Sequence, residues 1–228
     1  MAHSRRLIGA WVWANYGTRR RSAVTLTLPF TRLGIGGVPF LLPLLYQVGL
    51  GFDPVQSGLL IMPQAIAAMS TKFLTPRILD HIGFRGVLIS NTVILGLLLM
   101  LFATIGLGTP LWVIVLQAFC YGAFASLQYT AMNTLVYADV TDDEASNASS
   151  IASTAQQMSI SFSVAAAGLT TAFFIPTSAN SNPAQMIHGI HEAFLFLGGF
   201  TVLSTLVFHR LKRGDGANES QQKDLHLG

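Results

Sequence analysis

The sequence contains little charge and almost no cysteine. Only 10% of its 228 residues are Asp, Glu, Lys or Arg, whereas 51% are apolar. A water-soluble domain carries about 25% charged residues, so a single soluble core does not explain this composition. Cys120 is the one cysteine, which excludes an intrachain disulfide. The net charge of +3 is small, and nothing in its distribution indicates nucleic acid binding.

Six long apolar runs predict an all-α membrane protein with six transmembrane helices. About 20 apolar residues are needed to cross the hydrocarbon layer of a bilayer. The prolines and glycines in the first two runs are tolerated where neighbouring helices satisfy the freed backbone groups. The runs cover about residues 23–48, 59–79, 87–107, 111–138, 151–175 and 190–211. Residues 1–22 then form a basic cytoplasmic arm, and residues 212–228 read as a disordered cytoplasmic tail.

The basic residues predict the orientation of these spans. Arg77 and Arg85 lie in the loop after the second run with Lys72 nearby, and both terminal segments are basic, whereas the loops after runs one, three and five contain no Lys or Arg. By the positive-inside rule both termini are cytoplasmic. The loop after run four, residues 139–150, is acidic, but acidic residues weigh little in that rule.

Arg32 is the most informative single residue for function. It lies about ten residues into the first run, which is about 15 Å along a helix. A charged side chain at that depth is expected to face a cavity or the interior of the helix bundle. Alternatively, the span begins near Leu33 and Arg32 lies at the inner membrane interface.

The fourth run carries two sets of polar residues. Gln117, Tyr121 and Gln128 project within about 40° of one another on a helix. The second set lies on another side of the same helix, and consists of Ser126, Tyr129, Thr130, Asn133 and Tyr137. The first set indicates either a substrate path or hydrogen bonds between helices, which contribute about 0.6–2 kcal/mol each. Both interpretations stay open.

The fifth run carries a stripe of small residues four positions apart. Such a stripe is typical of a surface on which another helix packs closely. Its members are Ala155, Ser159, Ser163, Ala167 and Thr171, with Gln157 beside them as a bulky polar residue.

The remaining polar residues give little support to an enzyme or a metalloprotein. His188, His191 and Glu192 fit solvated loop residues better than a metal site, because their spacing is not a usual ligand set. No carboxylate lies in the middle of a predicted span, and the chain has neither a G-x-S-x-G serine motif nor a Walker-type phosphate loop. The sequence therefore predicts no enzyme and no metal.

Three stretches together resemble the C-terminal six-helix half of a major facilitator superfamily drug:proton antiporter of the fourteen-helix EmrB/QacA type. RILDHIGFRGVLI resembles the degenerate second copy of the G-x-L-a-D-r-x-G-r-k loop of that family, although His81 and Gly86 replace its usual basic residues. The other two stretches are LPLLYQVGLGFDPVQSGLLIMPQAI and MNTLVYADVTDDEASNASSIASTAQQMSISFSVAAAG. The resemblance covers about residues 23–211.

This resemblance implies a bacterial inner-membrane transporter that exports drugs or small organic molecules in exchange for protons, without a cofactor. The chain is then one half or a truncated product. Its partners are the lipid bilayer, the substrate, protons, and an N-terminal half or second membrane chain that supplies a buried acid. The cavity wall would contain Arg32, Gln117, Tyr121, Gln128, Asn133 and Gln157, and the cytoplasmic gate Arg77, Asp80, Gly83 and Arg85. The alternatives are a non-transporting six-span membrane subunit and a homodimeric half-transporter.

Overall fold

A computed structural model describes residues 34–137, 145–174 and 183–208. Within these ranges the chain is helical with short turns and contains no strand. The helices are α1, Val38–Leu44, which continues as a π-helical turn over Leu45–Gly49, then α2, Pro54–Ile82, α3, Phe84–Phe102, α4, Leu111–Tyr137, α5, Ala145–Phe174, and α6, Pro183–Phe208. The basic arm, Arg32 and the C-terminal tail of the sequence prediction lie outside the described residues.

Several of these helices are long and apolar enough to cross a membrane. Three stretches meet both conditions, Leu111–Thr134, Ser153–Phe174 and Ala184–Thr205, and Gly34–Gly49 and Gly86–Phe102 are shorter apolar helices. At 29 residues α2 is about 43 Å long, but it is less apolar because it contains Gln64, Lys72 and Arg77. The all-helical prediction is confirmed for the described residues, and the number of spans remains a prediction.

The helix ends differ from the predicted runs where local hydrogen bonds decide them. The helix α2 begins five residues before the predicted run because Asp53 forms a capping box with Gln56. The Gln56 N–H donates to Asp53 Oδ1 at 2.8 Å, and the Asp53 N–H donates to Gln56 Oε1 at 3.3 Å. Pro54 follows at the first helical position, where its missing N–H costs nothing.

The pairing of the helices follows a pattern that two inverted three-helix units would produce. The helix α2 packs along α4, α3 packs along α6 and against α4, and α1 with its π-helical turn packs against α5 and α6. Suppose that α1, α2 and α3 correspond in order to α4, α5 and α6. The α2–α4 pair then corresponds to the α5–α1 pair, and the α3–α6 pair corresponds to itself. Inverted repeats of this kind are common in transporters and weak in sequence, which explains why no repeat is visible in the residues themselves.

Glycine lets two pairs of helices approach until their backbones touch. A Cβ on Gly198 of α6 would lie 2.8 Å from the Gly96 carbonyl oxygen of α3, and a Cβ on Gly96 would lie 2.9 Å from the Gly198 carbonyl oxygen. A Cβ on Gly122 of α4 would overlap the backbone of Gln64 in α2. Close backbone packing of this kind replaces the hydrophobic driving force that lipid does not supply between helices.

The small-residue stripe of α5 packs against the beginning of the first helix. Ser163 and Ala167 are fully buried, and a Cβ on Gly37 would lie 3.2 Å from Ala167 Cβ. A Cβ on Gly36 would lie 2.7 Å from Ser163 Oγ. Ser159 is also buried, whereas Ala155 at the other end of the stripe is exposed. This surface is therefore largely covered by the chain itself.

We expect Gly122→Ala to lower the free energy of unfolding by about 1–3 kcal/mol, because the added methyl group forces α2 and α4 apart. The matched control is Gly168→Ala in α5, where an added Cβ meets nothing within 4 Å. That substitution should raise the stability by about 0.5–1 kcal/mol, since alanine favours a helix. Denaturant titration of both variants in detergent measures the difference, and equal effects would contradict the proposed contact.

Candidate functional site

A groove with several polar lining residues lies between α2 and α4. Its volume is about 760 Å³, which lies in the range of small-molecule sites. The helix α2 contributes Ile61, Gln64, Ala65, Ala68 and Lys72, and α4 contributes Gly122, Ala125, Ser126, Tyr129, Thr130, Asn133 and Thr134. On both helices these positions are three or four apart, so each row occupies one helix face.

Two contacts hold the helices in register along this groove. The close approach at Gly122 brings α4 onto the backbone of Gln64. One turn further along α4, the Ser126 hydroxyl donates a hydrogen bond of 2.9 Å to the carbonyl oxygen of Ala68. This hydrogen bond gives the Ser126 hydroxyl an acceptor on α2 and fixes the distance between the two rows of groove residues.

The groove is polar at one end and carries a single kind of charge. Lys72 is its only ionised lining residue, and its side chain is exposed. Asn133 lines the same groove and is also exposed. Gln64 Oε1 is buried with no hydrogen-bond donor among the described residues. The site therefore presents one cation and several neutral polar groups, and it contains no carboxylate.

Gln128 does not reach the groove, because it is fully buried between α3 and α4. Its Oε1 accepts a 2.7 Å hydrogen bond from Asn91 Nδ2, which also donates to the carbonyl oxygen of Phe124 at 2.9 Å. Its Nε2 donates to the Thr92 hydroxyl at 2.9 Å, and Thr92 donates to the carbonyl oxygen of Leu88. Of the two interpretations left open by the sequence, the structure shows hydrogen bonding between helices here.

Gln117 and Tyr121 are buried on the same interior side of α4. Gln117 Nε2 donates to the carbonyl oxygen of Leu98 at 3.4 Å, and the Tyr121 hydroxyl donates to that of Ile35 at 3.3 Å. The Tyr121 ring also packs edge-on against Phe102. These two residues therefore connect α4 to α3 and to Ile35 just before α1, an arrangement that matches the interpretation of hydrogen bonds between helices.

Of the predicted cavity residues, Gln157 lies apart from the groove. Gln157 is exposed on α5, where it lines a separate, open depression of about 690 Å³ with Met158, Ser161 and Phe162 among its neighbours. Arg32 lies outside the described residues. Of the predicted set, the structure places only Asn133 in the α2–α4 groove.

The predicted gate sequence forms the turn between α2 and α3, and a single glycine makes this turn. Gly83 has φ +76° and ψ 152°, a conformation that is essentially restricted to glycine. Its N–H donates to the carbonyl oxygen of Leu79 at 2.9 Å, and its own carbonyl accepts from Val87 at 3.0 Å. Arg77 is exposed, and the side chains of Asp80 and Arg85 lie outside the described set.

The histidines and Glu192 lie on a helix, which corrects the expectation of a loop. The helix α6 begins at Pro183, seven residues before the predicted run, so Glu192 is about 14 Å into it. His188 Nδ1 lies 3.6 Å from Glu192 Oε1, and His191 Nε2 is 2.8 Å from the carbonyl oxygen of Ile105. In the described ranges no three potential metal ligands cluster.

Sequence reasoning missed Gln64 and Lys72 as groove residues. Lys72 was assigned only to the charge balance near the loop, although it follows Ile61, Ala65 and Ala68 at helical spacing. This spacing places a cation on the same helix face as two small residues, and it was the available sequence signal for the groove. The partner face on α4 could not be identified without the contact at Gly122.

The comparison with known proteins gives a consistent result. Residues 7–164 match the family described as Major Facilitator Superfamily. A relative from Serratia proteamaculans, provisionally named multidrug resistance protein MdtD, is 32% identical over 201 residues, which cover 86% of this chain and 41% of the relative. A relative of the same name from Cronobacter sakazakii is 33% identical over 183 residues, 79% of this chain and 38% of the relative. The chain thus spans about two fifths of the length of these relatives.

We expect Gln128→Leu to destabilise the protein by about 1–3 kcal/mol, because the Asn91 and Thr92 side chains then lose a buried partner. Asn133→Leu is the matched control, since Asn133 is an exposed residue of the same helix, and its effect on stability should stay within about 0.5 kcal/mol. Thermal unfolding in detergent tests both. A Gln128→Leu variant as stable as the control would contradict a structural role for this network.

We expect Gly83→Ala to cost about 1–3 kcal/mol of stability through backbone strain alone. No atom lies within 4 Å of the added Cβ, so a steric clash contributes nothing. Gly108→Ala is the matched control because Gly108 also has open space around it and has no positive φ. Chemical denaturation should show a loss at Gly83 and almost none at Gly108, and the reverse order would refute the strained turn.

Proposed function

Because this chain belongs to the Major Facilitator Superfamily, whose members are membrane transporters, we propose that it forms the C-terminal six-helix half of an efflux transporter of the fourteen-helix EmrB/QacA type. Six helices cross the bacterial inner membrane with both termini in the cytoplasm. The exported molecules are drugs or other small organic molecules, as the name of its relatives suggests. Export is coupled to proton entry, and rocking between two halves alternates access to the site.

The observation that carries this proposal is the polar groove between α2 and α4. An integral membrane protein gains nothing from turning Lys72 and Asn133 towards lipid, because polar side chains in the hydrocarbon are costly. A groove with such a lining is suited to be one wall of an aqueous cavity. A second half then supplies the opposite wall, and this agrees with a chain that spans about two fifths of its relatives.

An exposed apolar face on α2 supports the same arrangement. Large apolar side chains occur three or four residues apart along the helix, and each is more than half exposed: Val55, Leu59, Met62, Ile66, Met69 and Phe73. This spacing is the pattern of a helix–helix seam. In the proposed transporter the part of this face beside the groove packs against the other half, and the rest contacts lipid.

The alternative of a non-transporting subunit loses its main support in the structure. That hypothesis used the small-residue stripe of α5 as a partner surface. Ser163 and Ala167 pack instead against Gly36 and Gly37 of the same chain. A partner would therefore have to displace the first helix before it could use this stripe.

The gate and the proton carrier follow from the proposed transporter rather than from the groove. Arg77, Asp80 and Arg85 act at the cytoplasmic end, on either side of the rigid Gly83 turn, and Asp80 accepts hydrogen bonds from a helix of the other half. Arg32 contributes to the cavity wall. The acid that carries the proton belongs to the other half.

Co-expression with the missing half tests the proposal. The chain is expressed in a drug-sensitive bacterium alone, and also together with the N-terminal half of the Serratia relative. We expect energy-dependent export of the anionic dye carboxyfluorescein only from the pair, and we expect a protonophore to abolish it. Neither half alone should export the dye.

The control distinguishes transport through the groove from a general effect. Ala65→Trp fills the groove and should abolish export, whereas Ala172→Trp adds the same bulk to an exposed position of α5 and should leave export unchanged. Export by this chain alone that is blocked by Ala65→Trp would replace the proposal by a homodimeric transporter. Export by the pair that both variants leave intact would show that the groove is not the substrate path.

A further inference from the structure

We propose that the α2–α4 groove binds organic anions, and that Lys72 binds the anionic group. The inference deepens the proposed function, because it assigns a substrate class to the groove. It rests on that function for transport, but binding by the groove can be measured without transport. The occupant to which the structure points is a small amphiphilic acid with an apolar body and one carboxylate.

The charge distribution in the groove determines the sign of the ligand. Lys72 is the one ionised residue among the lining side chains. Among the side chains that the structure describes, no carboxylate forms an ion pair with Lys72. A cation on a membrane helix is normally paired or faces water. Because Lys72 is exposed at the groove, a ligand carboxylate there can form a charge-assisted hydrogen bond with its ammonium group.

The shape of the groove determines the rest of the ligand. From Ile61 to Lys72 the α2 row extends about 16 Å at 1.5 Å per residue. Ile61, Ala65 and Ala125 make one part of the lining apolar, and Lys72 and Asn133 make the other polar. An aromatic or aliphatic body thus fits beside the small residues while the carboxylate reaches Lys72.

The position of Lys72 favours a small molecule over a phospholipid headgroup. Lys72 lies ten residues before the end of α2 at Ile82, which is about 15 Å along the helix. In the proposed orientation the membrane surface, where lipid phosphates lie, is nearer to the end of α2 at Ile82 than to Lys72. The neutral side chains that surround Lys72 in the groove also match an organic acid better than a phosphate with several negative oxygens.

The decisive experiment measures binding to the full 228-residue chain in nanodiscs of phosphatidylcholine, which has no net charge. Three probes share one aromatic body: 2-naphthoate is an anion, 2-naphthamide is neutral, and 2-naphthylmethylammonium is a cation. By calorimetry we expect the anion to bind at least about tenfold more tightly than the other two, since a cation is repelled by Lys72 at close range.

The variants separate the role of Lys72 from the general positive charge of α2. Lys72→Gln should abolish the preference for naphthoate, and Lys72→Arg should retain it. Lys72→Gln combined with Ser70→Lys keeps the net charge of α2 but moves it to an exposed position outside the groove, and this double variant should bind naphthoate no better than Lys72→Gln alone. Circular dichroism of each variant confirms that the helices are intact.

Three results would overturn the inference. The first is equal binding of the three probes, and the second is recovery of selective naphthoate binding in the double variant that combines Lys72→Gln with Ser70→Lys. The third is Lys72-dependent displacement of naphthoate by phosphatidylglycerol, which would make the groove a lipid site. Selective naphthoate binding by a chain that fails to restore export would instead support the groove as an anion site and refute only the transport proposal.

Discussion

The close contact of α2 with α4 at Gly122 is the constraint on which the candidate site depends. Lipid is as apolar as a leucine side chain, so membrane helices associate through close packing and hydrogen bonds rather than through the hydrophobic effect. At Gly122 the two backbones touch, and the Ser126 hydroxyl bonds to Ala68 one turn later. These two contacts fix the register that places Lys72 and Asn133 in the same groove.

The helix α4 divides its polar residues between two tasks because α2 and α3 contact different sides of it. On the side of α3, Gln128 forms hydrogen bonds with Asn91 and Thr92, and all three side chains are buried. On the side of α2, Thr130 and Asn133 line the groove. The buried network holds α4 in place, while the groove side leaves polar surface accessible. The same helix therefore acts as a structural support and as a wall of the site.

The sequence predicted the helical class and the superfamily, because apolar runs and motifs are local properties. The small-residue stripe of α5 was also readable, since Ser163 and Ala167 lie one helical turn apart. The sequence could not assign a role to Gln117, Tyr121 and Gln128, because a cavity wall and a buried hydrogen-bond network require the same residue types at the same spacing. Only the position of the neighbouring helix distinguishes these two roles. That position depends on contacts between residues far apart in the sequence, such as Gly122 with Gln64. Lys72 was overlooked for the same reason.

In the proposed transporter, the charge of Lys72 would also link occupancy of the groove to the movement of the two halves. When the groove is open to water, the ammonium group is solvated and its charge costs little. Closing a second half over the empty groove removes that water and leaves an uncompensated cation, which is expensive in a low-dielectric environment. A bound carboxylate supplies the compensating charge, so that closure over the loaded groove costs less than closure over the empty one. An organic anion would in this way favour the closed state through the same interaction that binds it.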